Sequence, residues 1–498
     1  MKKIIEFIRK HDNIFMFIIL FLITSSYVFC IKLEANDQLW NFSNIYKMTN
    51  GYTIYKDLNV IITPLYFFIG KIAFSLFESN YLVYSIYQNF IIYLLLFFSI
   101  YQLMKKMKIR KINSALYTMI ISVIMITIMP EASYNILAIL FSIIGIIHLL
   151  SSKNRYIDNM IQGVIYFLIF MTKQNTGVLY ILGSILAQIL IQKDKKISIK
   201  NISQQLIACW IMILGYLVYL KYNNNLYNFI NYCFLGIKEF SQENLVVKPK
   251  NVIFILMASI VSIVSIIATY KKRIPLEQIQ RKNIKILGSI SCFMLAISYP
   301  LLNDAHTLIA SVTFMILFSY MLDIMILREL LNGKKVEIAK KVIILILGII
   351  FVIINLCNNL TYFIEIMDED YYFSNDSPYY GAIAKKELVK EINEITKYIE
   401  KENQNRTDVK IISCYSNLYM NVLNKNNGDM DLPFSGNMGQ NGVNGMIAKI
   451  NNLKNTKILI LSNEKDRHYQ ESKRIFKYIE ENFEKEGKIG KFSIYRVK

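Results

Sequence analysis

The chain has little cysteine and uses it without pattern. Six cysteines, at 30, 209, 233, 292, 357 and 414, show no CxxC or other paired spacing, which argues against a disulfide framework or a metal cluster. Histidine is scarcer still, and His11, His148, His306 and His468 are too dispersed to form a ligand set. No phosphate-binding glycine loop, GxGxxG or HExxH occurs, so nucleotide and zinc chemistry lack support. Internal repeats and low-complexity segments are absent as well. The apolar run 14–31, which follows Lys2, Lys3, Arg9 and Lys10, has no small-residue cleavage site and is expected to be a retained anchor. Acidic residues are the minority, 36 against 56 lysines and arginines, for a formal charge of +20. The basic residues cluster in short connectors between apolar runs, the arrangement of a membrane topology signal, so no nucleic-acid partner is expected.

What is present is apolar surface. Hydrophobic residues make up 54% of the chain, too many for an ordinary soluble enzyme. Runs of about 18–20 apolar residues, enough to cross a hydrocarbon core of about 30 Å, recur along the N-terminal 360 or so residues. Spans are expected at 14–33, 81–104, 113–130, 136–152, 204–221, 251–270, 284–301, 307–327 and 342–360, with two more inside 159–192, eleven in all. The pair inside 159–192 follows from basic flanks at both ends, which make a hairpin with its apex at 172–177 and a first arm, 160–171, short for a crossing. Segment 58–77 carries Pro64, Gly70 and Lys71. It is expected to lie along or dip into the outer face, because a second crossing there would expose Lys105, Lys106, Lys108, Arg110 and Lys111 outside.

Beyond residue 360 the composition becomes that of a charged globular domain. Helices are expected over 385–402 and 471–483, and strands over 409–414, 458–461 and 492–497. The fold class is therefore an α-helical polytopic membrane protein, 1–360 including the outer loop 34–77, followed by a small α/β domain, 361–498. An odd number of spans from a cytoplasmic N-terminus puts that domain outside the membrane. Its loop Gly436-Asn437-Met438-Gly439-Gln440-Asn441-Gly442 reads either as a tight turn or as a contact for acceptor or glycan.

The outer connectors collect Asp37, Asp57, Glu131, Lys173, Asp304 and His306. Carboxylates beside cations at a membrane surface suit transfer from a phosphate-linked lipid. A carboxylate can take the proton of an attacking hydroxyl, and a lysine can steady the departing phosphate. A lysine inside a membrane hairpin is a functional candidate, with snorkelling to the headgroups as the plainer alternative.

The stretch 33–64 carries a resemblance. Asp37-Gln38 with Trp40, then Gly51, Tyr55-Lys56-Asp57 and Pro64-Leu65-Tyr66, resemble the first outer loop of polytopic GT-C glycosyltransferases, specifically bacterial relatives of protein O-mannosyltransferases and aminoarabinose transferases. Lys173-Gln174, and Pro300 followed by Asp304 and His306, are similar to further features of that group. Gln38 stands where the family pair often has Glu, which leaves Asp37 as the catalytic base, with Glu34 one helical turn earlier as the alternative. The resemblance implies that Glu34, Tyr55, Asp57, Lys173, Gln174, Asp304 and His306 line the substrate pocket. It also implies a polyprenyl-phosphate-linked sugar as donor, a cell-envelope glycan, lipid or protein as acceptor, inversion at the anomeric carbon, and a multi-pass location in the cell membrane. No cofactor is required. The outer carboxylates could hold a divalent metal, though their spacing demands none. Two other readings stand beside this one: a non-enzymatic transporter or flippase of lipid-linked oligosaccharide, and a membrane anchor for a C-terminal binding module.

Overall fold

The computed structural model describes residues 12–25, 33, 37–129, 131–192, 194–237, 246–271, 276–325, 346, 373, 377–431, 433–434, 437–468 and 470–497. Glu34, Gly436 and, apart from Ile346, the expected span 342–360 lie outside the described residues. Among those described, seven helices are long and apolar enough to cross a membrane: Tyr81–Lys106, Lys111–Ile128, Tyr134–Ser151, Gln174–Ile191, Lys195–Tyr222, Pro249–Ala268 and Asp304–Ile324. Asp12–Ser25, Leu65–Leu76 and Tyr156–Thr172 are shorter apolar helices. The chain is a mostly helical, multi-pass membrane protein with a small C-terminal sheet region.

The chain divides into two compact units, the first formed by Met1–Cys30, Ile86–Tyr216 and Val246–Leu360, the second by Ile31–Ser85, Leu217–Leu245 and Thr361–Lys498.

The first unit is a helical bundle whose local breaks differ from the sequence reading in four places. The hairpin turns at one residue, Lys173, and not over 172–177, because its arms run Tyr156–Thr172 and Gln174–Ile191. The first arm is longer than expected, with 17 residues, since Asp158 closes a capping box with Arg155 and starts the helix early. The expected span 284–301 is instead a helix over Gln278–Met294, a 3-10 turn over Leu295–Ser298 and a short strand. Glu277 and Gln280 cap its start, and Pro300, which cannot donate a backbone hydrogen bond, keeps the chain from continuing as helix. The strand β2, Leu301–Leu302, pairs in parallel with β1, Val246–Val247. The segment expected over 204–221 is a helix of 28 residues beginning at Lys195.

Helices Gln174–Ile191 and Gln278–Met294 meet backbone to backbone. A Cβ at Gly183 would lie 2.8 Å from Ile290 Cα, and small residues at such points let helices pack closely without a hydrophobic driving force between them. Gly183→Val is expected to force this pair apart and cost on the order of 1–3 kcal/mol, as overpacking does, visible as a lowered midpoint in thermal unfolding of the detergent-solubilised protein. At the other edge of the bundle Asp12 accepts from Lys105 at 2.7 Å, Lys111 at 2.8 Å and Tyr101 at 2.9 Å, and so fastens the first helix to the basic connector.

The second unit is built on a four-stranded sheet of β3 (Asp408–Ile411), β4 (Thr456–Leu461), β5 (Glu484–Ile489) and β6 (Phe492–Val497), in the order β3-β4-β6-β5. The first pairing is parallel and the other two antiparallel. Ile458, Ile460, Ile475, Phe476, Ile479 and Tyr495 form its core. Helix Lys386–Gln404 buries Ile392, Ile395 and Ile399 at helical spacing. The aromatic connector expected over 222–250 is not all loop. It forms a short helix, Leu226–Ile230, and one π turn, Asn231–Leu235, because Phe229, Tyr232 and Cys233 are buried.

Helix Asp37–Thr49 also belongs to this unit. Phe42 packs against Phe74, Tyr81, Tyr84 and Tyr379, and Trp40 stands edge-on to Phe67. The helix within segment 58–77, Leu65–Leu76, has 12 residues. At 1.5 Å per residue that is about 18 Å, less than a hydrocarbon core.

Candidate functional site

Lys173 sits between two helices in extended backbone, with φ −156° and ψ 112°. It ends one helix and begins the next: its N–H donates to the Ile169 carbonyl at 3.0 Å, and its own carbonyl accepts from Gly177 at 2.9 Å. The turn can be this tight because residue 177 has no side chain. A Cβ there would fall 2.4 Å from Phe170 Cα. Lys173 is 9% exposed, and its ammonium donates to Asn135 Oδ1 at 2.5 Å and lies 5.8 Å from the centre of the Tyr134 ring. Ser133 caps the helix that presents Asn135, accepting from the Asn135 N–H at 3.2 Å. Gln174 is buried beside the same turn. His306 lies within electrostatic reach of Lys173.

Asn303 Oδ1 accepts from both the backbone N–H and ring Nδ1 of His306, each at 2.9 Å. With Nδ1 as donor, Nε2 is left as an acceptor. Asp304, at the start of the same helix, is neutralised. It accepts from Lys248 and Lys250, both at 3.0 Å, and from Asn251 at 3.1 Å. Its side chain is 42% exposed, so these ion pairs are weak ties that steady the β1–β2 corner.

The remaining expected site residues lie in the second unit. Asp37 is exposed and is the first residue of a helix in which nearly every other side chain is buried. Its carboxylate is therefore carried on an immobilised support while itself reaching solvent. An acid in the first turn also favours the helix start. Tyr55 and Asp57 shape the loop. Tyr55 is 1% exposed, has φ +67°, and donates its hydroxyl to the Ile62 carbonyl at 2.8 Å. The Asp57 carboxylate accepts from the Thr53 N–H at 2.7 Å and closes the turn.

Sequence reasoning did not find the most buried charge pair among the described residues. Lys47, on helix Asp37–Thr49, donates to Asp431 at 2.5 Å and to Asn417 at 2.8 Å, with the Lys47 and Asp431 side chains 2% and 7% exposed. Ser416 donates to the other Asp431 oxygen at 2.9 Å, and Asn59 donates to the Asp431 carbonyl at 2.7 Å. Nearby, Asn421 donates to Ser43 Oγ at 2.7 Å. Burial pushes the Tyr379 phenol up, so it stays protonated and donates to the Asn417 carbonyl at 2.7 Å. Lys47, one of two lysines in an acidic loop, was the only sequence trace of this network, which joins it with Ser43 and Asn59 to Tyr379 and to residues beyond 415.

The glycine and asparagine loop before residue 442 makes turns at Gly439, φ +72°, and Gly442, φ +48°, where a helix begins. Gln440 N–H donates to Asn231 Oδ1 at 2.8 Å, and the space a Cβ at Gly439 would need is taken by Asn231. Among the described residues no three His, Cys, Asp or Glu side chains gather to hold a metal ion.

No protein-family model matches the chain, and no curated protein matches it in sequence. Solved structures do match. The archaeal oligosaccharyltransferase AglB from Archaeoglobus fulgidus, in complex with an inhibitory peptide and a dolichol-phosphate, aligns over 91% of this chain and 70% of its own at 10% identity, with a TM-score of 0.49. The Archaeoglobus fulgidus oligosaccharyltransferase tethered with an acceptor peptide containing the NVT sequon aligns over 92% of this chain and 70% of its own at 11% identity, with a TM-score of 0.53. The fold is similar to that of an oligosaccharyltransferase. The likeness is one of architecture and takes in nearly the whole chain.

Proposed function

We propose that the protein is an integral-membrane glycosyltransferase of the GT-C type, moving a sugar from a polyprenyl-phosphate donor to a cell-envelope acceptor on the outer face of the membrane. The observation that carries this reading is the fold, similar over 92% of the chain to that of an oligosaccharyltransferase. A lysine held nearly buried at a hairpin apex supports it, since a cation kept there at a cost in solvation suits a phosphate. In this reading the Asp37 carboxylate takes the proton of the acceptor hydroxyl while that oxygen attacks the anomeric carbon. The bond from that carbon to the phosphate oxygen breaks on the opposite side, giving inversion, and the polyprenyl phosphate leaves as an anion steadied by Lys173. Tyr55 and Asp57 set the shape of the loop, and His306 offers Nε2 as an acceptor within electrostatic reach of the lysine. Eleven spans, a cytoplasmic N-terminus and an extracytoplasmic C-terminal region complete the proposal.

The test is transfer of labelled sugar from a polyprenyl-phosphate donor by the full chain in membranes, followed as label in the acceptor. Passage of the lipid-linked sugar between leaflets without any transfer would move the reading to a transporter. Lys173→Met is expected to lower kcat/KM for the donor about 10- to 100-fold, with Lys173→Arg restoring part of it, because a charge-assisted contact to phosphate contributes roughly 1.5–3 kcal/mol. Equal losses in both variants would point to packing at the apex in place of charge.

A further inference from the structure

We propose that the first unit carries a second binding site, for a neutral, hydroxyl-rich head group, at the end of the bundle away from Lys173. Helices Tyr134–Ser151 and Gln174–Ile191 end there, and Tyr156–Thr172, Lys195–Tyr222 and Gln278–Met294 begin there. Between them lies a cavity of about 540 Å³ lined by His148, Gln162, Gln188, Ser198, Asn201 and Gln205, among others. That is a volume typical of small-molecule sites. Lys173 is at the opposite end of two of these helices, so this site is separate from the one proposed for transfer.

The lining is unusual for helices of this apolarity. Gln188 and Gln205 donate to each other's side-chain oxygens, both at 2.9 Å, and Gln205 also donates to Asn159 at 3.0 Å. Asn159 in turn donates to Gln204 at 2.7 Å, and Tyr166 donates to Gln205 at 3.0 Å. Polar groups inside a bundle are costly unless satisfied, and bundle packing alone is served by small or apolar side chains. The interlocked amides fix one another's orientation and hold a row of donors and acceptors at the cavity wall. Ser198 Oγ shows what the wall is built for: it is buried, its residue 2% exposed and lining the cavity, and it makes no hydrogen bond within the protein. Buried hydroxyls are nearly always partnered, so a ligand oxygen fits this one.

The charge pattern selects the ligand class. Asp194 and Lys282 both line the cavity and offset each other, leaving amides, two serine hydroxyls and an imidazole as the recognising groups. Side-chain amides pair a donor with an acceptor, the match for adjacent sugar hydroxyls, whereas a phosphate would call for an excess of cations. Such a head group can come from a neutral glycolipid or from a free saccharide.

The experiment is equilibrium binding to the full chain in nanodiscs, with tritiated glucose in one arm and monoglucosyl-diacylglycerol incorporated in the disc in the other. Saturable binding of glucose supports a soluble source. Binding of the glycolipid alone supports a lipid head group. Ile197 lines the mouth and is 45% exposed, so Ile197→Trp is expected to block entry and weaken binding at least tenfold without touching the fold. Ser198→Ala, which removes a hydroxyl that no protein group uses, is expected to weaken it about fivefold. No saturable binding in either arm by a monodisperse protein, or binding unchanged in both variants, would overturn the proposal. The readout is binding, so it stands or falls independently of sugar transfer.

Discussion

Asp37→Asn is expected to reduce sugar transfer by about 10²–10⁴-fold, the usual contribution of a positioned general base, while leaving the protein folded. The two halves of this expectation rest on different observations. The side chain is exposed, so exchanging one carboxylate oxygen for an amide disturbs no core packing. Its helix is held by Phe42 and Trp40 against an aromatic cluster and by Lys47 against Asp431, contacts the substitution does not reach. Loss of an acid from the first helical turn costs about 0.3–1 kcal/mol. The amide keeps the shape and cannot accept the acceptor's proton. Transfer in membranes from a polyprenyl-phosphate donor, measured beside the thermal midpoint, separates the two effects. Wild-type rates would remove Asp37 from the role of base, and Glu34→Gln in the same assay would then test the alternative acid.

Lys47→Met is expected to destabilise the second unit by about 3–5 kcal/mol, because it leaves the Asp431 carboxylate buried without its cation. Replacing both partners, Lys47→Met with Asp431→Leu, should recover most of that loss, since a buried ion pair contributes little net stability over an apolar pair of similar volume. Recovery should stop short of complete. Lys47 also donates to Asn417, and Asp431 also accepts from Ser416, so each keeps one bereft neighbour. Thermal unfolding and trypsin resistance of the solubilised protein would read both steps. A single variant as stable as the wild type would mean that water reaches the pair.

The parts of the fold that were legible in the sequence are those whose pattern is local. Ile392, Ile395 and Ile399 recur at helical spacing and mark helix Lys386–Gln404. The apolar runs of β4 and β6 mark buried strands. Strand β5, Glu-Lys-Glu-Gly-Lys-Ile, was not legible, because it is an edge strand whose charged side chains face solvent. Span boundaries were displaced where a cap or a proline decides them, as at Asp158, Glu277 and Pro300, since hydropathy averages over such single residues. In the candidate site, Lys173 announced itself as the one charge in an apolar hairpin. Asp431 and Ser416 could not, being ordinary polar residues in a soluble-looking region whose partner is 384 positions away in the case of Lys47.

That separation has a bearing on biogenesis. The helix that carries Asp37 leaves the ribosome well before Tyr379, Asn421 and Asp431, which hold it. Closing contacts over so long a stretch of chain is slow and must wait for synthesis to reach them. The helix that carries the proposed base is thus without these holding contacts until synthesis has passed Asp431.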